Sequence, residues 1–436
     1  MMQPRHPIVL LSVLAVLCAA NPGRAQRVEI QPDKTNGVYP IGATVHWTAT
    51  WLGPSNAPAA QYTCKRGGLT DTGHGSLTFS NHTASLETTF DAPGTMLVEV
   101  KWQPDSPTNR AVGGAVAAPE KITAAAAAPG DFDAFWRGQL EKLKQVPANP
   151  QLEAVDIRKP GVAYWKITLD NIAHTHIQGQ IARPEKGGKF PALLILQWAG
   201  VYALHQDWVT GQAAAGWLAL DIEPHDISID QPDSFYKDQF AGPLHNYWYL
   251  GNDDREASYF LRMYLSAAQA LEYLMTRPDW DGKTLVVSGA SQGGQQALML
   301  AGLLPKNITA ALALVPAGCD MLAPAEGRAS AYPNWYSNTW DKDAAKVRET
   351  SKYFDVVNFA RHIQCPVLIG LGLRDEVCPP ATVLAAVNVI PSPKEVLILP
   401  KSGHQDEDGT QAPFEKRRYG VWLPALQQGK PAPVNQ

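Results

Sequence analysis

A doubly wound, mainly parallel α/β sheet preceded by a small all-β unit is the fold class this sequence predicts, and three patterns carry it. From Ala163 onward, short apolar runs alternate with segments of helical periodicity. Two of those runs, Ala192-Leu-Leu-Ile-Leu-Gln197 and Trp217-Leu-Ala-Leu220, are continuously apolar, as expected of strands covered on both faces. Upstream, from Gln26 to Ala118, the period shortens to two, with Gly, Pro, Asn and Asp separating the runs. That alternation predicts an immunoglobulin-like β-sandwich over 26–118.

In chain order, Arg5 and His6 precede an apolar stretch from Ile8 to Ala20, and Gly23 and Ala25 stand where a signal peptidase needs small residues. Residues 1–25 therefore predict export to the periplasm or the medium. The stretch is too short to span a bilayer, so no integral membrane segment is expected. Within 26–118, Trp47, Trp51 and Trp102 could stack on sugars, but they read first as core residues. The Ala-, Gly- and Pro-rich residues 119–130 read as a linker, and 131–430 as the α/β domain. Asp131 is positioned to cap a helix that carries Phe132, Phe135, Trp136, Leu140 and Leu143 on one face. A second, longer helix is expected from Glu256 to Met275, ending before Pro278. Further strands are expected at 284–288, 311–315, 366–371 and 395–399.

Composition excludes several classes of function. With 37 Lys and Arg against 41 Asp and Glu and no basic cluster, nucleic acid is not an expected partner. Past residue 25 the cysteines are Cys64, Cys319, Cys365 and Cys378, which allow three pairings that spacing cannot separate. No C-x-x-C or H-E-x-x-H pattern appears, so the sequence asks for no metal and no cofactor. His174 and His176 lie two apart without a third ligand and read as surface residues.

The chemistry concentrates at Gly289-Ala290-Ser291-Gln292-Gly293, between a β-branched run and a helical one. A G-x-S-x-G pattern in that setting makes a strained strand-to-helix turn that lifts the serine hydroxyl above the sheet edge. Ser291 is thus a candidate nucleophile. A serine hydroxyl is weakly nucleophilic at neutral pH and needs a base, itself oriented by a third group. In the α/β-hydrolase fold the chain order is Ser, acid, His. Asp375 follows one strand and His404 the next, so both can reach the edge where Ser291 emerges. Glu376 is the rival acid, and Asp406 and Asp408 crowd His404. The oxyanion donors are expected to be the backbone N–H groups of Gln292 and of Val201, in the loop Trp198-Ala-Gly-Val-Tyr202.

Taken together, Gly289-x-Ser-Gln-Gly-Gly294, Phe135-Trp136, Tyr353-Phe-Asp-Val-Val-Asn-Phe-Ala360, the G-L-x-D-x-x-C-P-P-x-T pattern at 372–382 and Gly403-His404 resemble the acetyl xylan esterase/cephalosporin C deacetylase family, carbohydrate esterase family 7. The resemblance covers about 131–425 and implies an α/β-hydrolase that removes acetyl groups from substituted sugars, with Ser291, Asp375 and His404 as its triad. Homo-oligomers are common in that family, so a homo-oligomer is a possible assembly. Two departures stand out. This chain has Glu223-Pro224-His225 where the family carries Arg-Gly-Gln, and His404-Gln405 where it carries His-Glu. An arginine and a glutamate have gone together, as the loss of one ion pair would require, since one partner alone would be a stranded charge.

Tyr202, Trp198, His225 and Trp335 are the candidate substrate-binding residues, within aromatic-rich loops after the strands. His225 has a competing reading as a solvated loop residue, and the aromatics as packing between loops. The activity expected is a secreted acetylesterase acting on acetylated carbohydrate. Its rivals are an esterase, lactonase or peptidase for another acyl group, and a glycan-binding protein with a vestigial hydrolase domain.

Overall fold

The computed structural model of the chain describes residues 27–53, 56–103 and 109–435, and the expected export signal lies outside them. Eight strands come first: β1 (Val28–Pro32), β2 (Val38–Tyr39), β3 (Thr44–Trp51), β4 (Ala60–Arg66), β5 (Thr70–Leu77), β6 (Thr83–Thr89), β7 (Gly94–Trp102) and β8 (Arg110–Ala117). They form a three-stranded sheet, β1-β3-β6, and a five-stranded sheet, β2-β8-β7-β4-β5. Alternation explains how the two sheets meet. In β3 every second residue, Val45, Trp47, Ala49 and Trp51, turns inward and joins Val98, Val100 and Trp102 of β7 in one apolar cluster. The three tryptophans are core residues, with Trp51 and Trp102 in an edge-to-face pair 6.3 Å apart.

The rest of the chain builds a nine-stranded sheet. Its elements are α1 (Phe132–Lys144), β9 (Gln151–Ala154), β10 (Val162–Asp170), β11 (His176–Pro184), β12 (Phe190–Leu196), α2 (Asp207–Ala214), β13 (Leu218–Ile222), α3 (Asp233–Ala241), α4 (Tyr259–Thr276), β14 (Trp280–Ala290), α5 (Gln292–Leu303), β15 (Ala310–Leu314), α6 (Ala344–Phe354), α7 (Val356–Ala360), β16 (Val367–Gly372), α8 (Pro380–Asn388), β17 (Lys394–Leu399), α9 (Ala412–Arg417) and α10 (Leu423–Gln427). The strand order is β17-β16-β15-β14-β12-β13-β11-β10-β9. From β13 to β17 the pairs are parallel, whereas β9, β10 and β11 join antiparallel at one edge. Successive residues of the central strands serve opposite faces. Leu285 and Val287 belong to an apolar cluster shared with α4 and α5, while Val286 belongs to a separate one shared with Phe414 and Leu423 of α9 and α10. The sheet is therefore covered on both sides.

Helix α1 starts directly after Asp131, as expected, but local signals misjudged its cap and misplaced the start of α4. Asp131 does not cap α1; its carboxylate accepts from Arg255 Nη1 at 2.7 Å and from the Tyr353 hydroxyl, tying α1 to the elements beneath it. The longer helix starts at Tyr259 rather than Glu256, capped by Ser258, whose Oγ accepts from the Phe260 N–H. All four described cysteines are buried and free. His176 is exposed and pairs with Asp226 at 3.3 Å, and His174 is exposed in a turn. No helix among the described residues is long and apolar enough to cross a membrane.

Candidate active site

Strand β14 stops at Ala290, and Ser291 turns the chain with φ 53° and ψ −120° before α5 begins at Gln292. A side chain rarely occupies that backbone region, so the turn is strained and must be held from outside. The clamps are visible. The Ser291 N–H donates to Leu314 O of β15, and its carbonyl accepts from Ala317 N–H. The turn closes because Gly289 and Gly293 lack side chains: a Cβ on Gly293 would stand 2.0 Å from Leu196 O, and one on Gly289 2.4 Å from the Gly293 carbonyl carbon.

The loops after β16 and β17 bring the other two groups. His404 Nε2 lies 2.9 Å from Ser291 Oγ, and its Nδ1 lies 2.9 Å from Asp375 Oδ2. A carboxylate only accepts, so Nδ1 carries the proton and Nε2 is free to accept from the serine. Asp375 is fully buried, and its other oxygen takes the N–H groups of Val377 and Cys378 at 2.8 Å each. Glu376, the rival acid, is instead paired bidentately with Arg110. Asp406 takes the Gln411 N–H, and Asp408 is exposed, so neither engages His404. Asp375, Cys378 and His404 lie close enough together to hold a metal ion, but both imidazole nitrogens are already engaged by Asp375 and Ser291.

Among the described residues, the N–H groups of Gln292 and Val201 have no protein acceptor. The loop that carries Val201 is held tightly. Gly200 N–H donates to the Tyr247 hydroxyl at 3.3 Å, and that hydroxyl donates to Gln292 Oε1 at 2.7 Å. Tyr332 also donates to Gln292 Oε1, at 3.1 Å.

The substrate-wall expectations divide. Trp198 is 43% exposed and lies in a stacked pair with Tyr202, centroids 5.2 Å apart, with Trp208 edge-on to it. The Tyr202 hydroxyl faces the carbonyl of Trp198 and Gln197 Oε1, so it braces its own loop. Trp335 is buried: it packs on Phe260 and Phe354 and donates to Trp248 O at 2.7 Å, which makes it a core residue rather than a wall. His225 is likewise neither solvated nor facing a ligand. It is 1% exposed, with Nε2 2.8 Å from Gly200 O and Nδ1 2.6 Å from the Tyr259 hydroxyl. A carbonyl only accepts, so Nε2 bears the proton. Burial holds the imidazole neutral, with its pKa lowered to about 3.

Glu223 lies 3.9 Å from His225 Nε2, and burial pushes it well above the usual carboxylate range, while Asp221, held by Gln180 and Gln197, is likewise raised to about 7. Glu223 is buried and Gln405 exposed, with no hydrogen bond between them among the described residues. Sequence reasoning gave Tyr247 no role beyond its place in an aromatic-rich loop. Its contacts with Gly200 and Gln292 join segments 47 and 45 residues apart, and no local pattern marks them.

Residues 120–423 match the model of the acetyl xylan esterase (AXE1) family. The acetyl esterase Axe7A of Xylanibacter ruminicola is 35% identical over 280 residues, which is 63% of this chain and 63% of that protein. The acetyl xylan esterase of Paenibacillus sp. R4 superposes with a TM-score of 0.60 at 25% identity, over 70% of this chain and 98% of that one. Acetyl xylan esterase 1 of Thermoanaerobacterium sp. JW/SL YS485 superposes at 0.58 with 23% identity, over 68% and 96%. The chain belongs to the acetyl xylan esterase family, a family of carboxylic ester hydrolases.

Proposed function

We propose that this protein is an exported serine esterase that removes acetyl groups from acetylated carbohydrate. The observation that carries the reading is the imidazole of His404, 2.9 Å from both Ser291 Oγ and Asp375 Oδ2. In this reading Ser291 Oγ attacks the acetyl carbonyl and passes its proton to His404 Nε2. The sugar hydroxyl leaves with that proton, and an acetyl-serine remains. Water, deprotonated by His404, then releases acetate and restores the serine. Buried Asp375 keeps the imidazole in its Nδ1–H form and stabilises the cation formed in each half-reaction.

The oxyanion is assigned to the N–H groups of Gln292 and Val201. Support for the second comes from His225. The Gly200 carbonyl and the Val201 N–H belong to one planar trans peptide and point in opposite directions. A proton donated by His225 to that carbonyl fixes the plane, and with it the direction of the N–H. In the family's Arg-Gly-Gln position this chain thus uses a neutral histidine to orient a backbone donor. Trp198, stacked on Tyr202, is assigned the sugar-facing wall. Reading 26–118 as an immunoglobulin-like sandwich is supported by two sheets closing on one core. The division at 119–130 is supported by the family match beginning at 120, and export rests on residues 1–25 alone.

Hydrolysis of nitrophenyl acetate and butyrate, with acetate release from acetylated xylan and acetylated monosaccharides, tests the reading. Acetate esters should be preferred, and Ser291→Ala should lower kcat by about 10⁴-fold or more. A preference for longer chains would point to another esterase. A parent no faster than Ser291→Ala would leave only a binding protein.

A further inference from the structure

The segment Leu373-Arg374-Asp375-Glu376 carries the acid of the site, and three of its four residues are held by the N-terminal β unit. Leu373 is wedged against two glycines of that unit. A Cβ on Gly37 would lie 2.6 Å from Leu373 Cδ1, and one on Gly114 in β8 would lie 2.0 Å from Leu373 O. Only a bare backbone allows this approach. Arg374 reaches back to donate to Ile30 O of β1 at 3.3 Å. Glu376 receives two parallel bonds from Arg110 at the start of β8, each 2.9 Å.

Arg110 is itself fixed. Its Nε donates at 2.8 Å to Glu99, a buried carboxylate on β7 that also lies 3.4 Å from Lys65 and from Lys101. The guanidinium thus sits between two carboxylates, its five donors in one plane, as bidentate recognition requires. The same unit touches the enzyme-like domain elsewhere, through Ala329 N–H on Gly67 O and the Thr70 hydroxyl on Gly327 O. Those contacts would serve simple docking. The acid-loop contacts do more, because they bracket Asp375 on both sides.

We propose that the N-terminal β unit is a built-in brace for the active site, holding the Asp375 loop through the Arg110–Glu376 pair. Arg110 is then a positioning residue: it touches neither substrate nor reacting atoms and acts through the loop that sets the His404 ring. The inference rests on the triad reading, which Ser291→Ala tests separately.

The test uses the full chain carrying Arg110→Ala, Arg110→Lys, Glu376→Gln or the double variant Arg110→Ala/Glu376→Gln. Arg66→Ala serves as control, since Arg66 lies in the same unit and, among the described residues, pairs only with the exposed Asp91. Each is assayed on nitrophenyl acetate and its melting temperature measured. A misplacement of about 1 Å costs on the order of 10²-fold, so Arg110→Ala should lose about 10–100-fold in kcat, with KM within about twofold of the parent. Arg110→Lys should recover part of the rate. The double variant should be no slower than the slower single one, because both remove the same pair. Glu376 is exposed, so Glu376→Gln keeps the test alive if Arg110→Ala fails to fold. The proposal fails if Arg110→Ala and Glu376→Gln both keep kcat within about twofold, or if Arg66→Ala loses as much. If Ser291→Ala stays active, the triad reading falls, whatever Arg110 does.

Discussion

Two histidines close to the same loops do opposite work. His404 turns one nitrogen to Ser291 and the other to Asp375, whereas His225 is sealed behind the loop and spends both on its scaffold. If His225 orients the Val201 N–H, His225→Ala should behave like loss of an oxyanion donor. We expect kcat on nitrophenyl acetate to fall by about 10²-fold with KM little changed. A fall in KM-weighted binding alone would instead place His225 in the ground-state pocket. Burial also gives Asp221 and His225 a pH signature. Asp221 ionises at about 7 in the fold against 3.8 in a free chain, so unfolding releases its proton between those values. Its contribution to stability is therefore full below about pH 4 and lost as pH rises through 7. Asp221→Asn has no charge to bury, so its stability relative to the parent should rise from pH 4.5 to 7.5 in denaturant titrations. His225, lowered to about 3 from 6.5, contributes the opposite slope as pH falls through that range, and Asp221→Asn leaves it in place. That Ser291, Asp375 and His404 would meet was legible because motif and chain order are properties of the sequence itself. The contacts of His225 were not, because its partners Gly200 and Tyr259 lie 25 and 34 residues away, and burial leaves no local mark.

At the scale of elements, the turn between β14 and α5 concentrates the strain. Gly293 faces the last carbonyl of β12 at a distance no Cβ tolerates. Gly293→Ala should cost about 1–3 kcal/mol of stability, seen in the denaturation midpoint, and should cut activity as Ser291 is displaced. An unchanged midpoint would mean the turn is looser than its packing indicates. The strands of the parallel core were readable from their apolar runs, and each lies within a few residues of its expected place. The antiparallel edge β9–β11 was not separable from them, because pairing direction depends on connections rather than composition. The start of α4 was missed for a related reason. Glu256 looks like a first-turn residue, but Ser258 supplies the cap.

At the scale of the molecule, the stretch that matches the acetyl xylan esterase family, residues 120–423, carries an N-terminal β unit packed against its Asp375 loop. Period-two alternation made that unit legible, but its docking was not, since Arg110 and Glu376 are 266 residues apart. The aromatic loops taught the same lesson: of the two tryptophans expected to line a pocket, Trp335 fills the core and Trp198 is exposed. The claim on which the whole account rests is that Ser291 is the nucleophile. A dialkyl nitrophenyl phosphate, which phosphorylates an activated serine irreversibly, tests it most directly. Mass spectrometry of the inactivated protein should find one phosphoryl adduct, on the peptide containing Ser291, and none on Ser291→Ala or His404→Ala. Complete inactivation with the adduct on another residue, or an active protein that never labels, would contradict it.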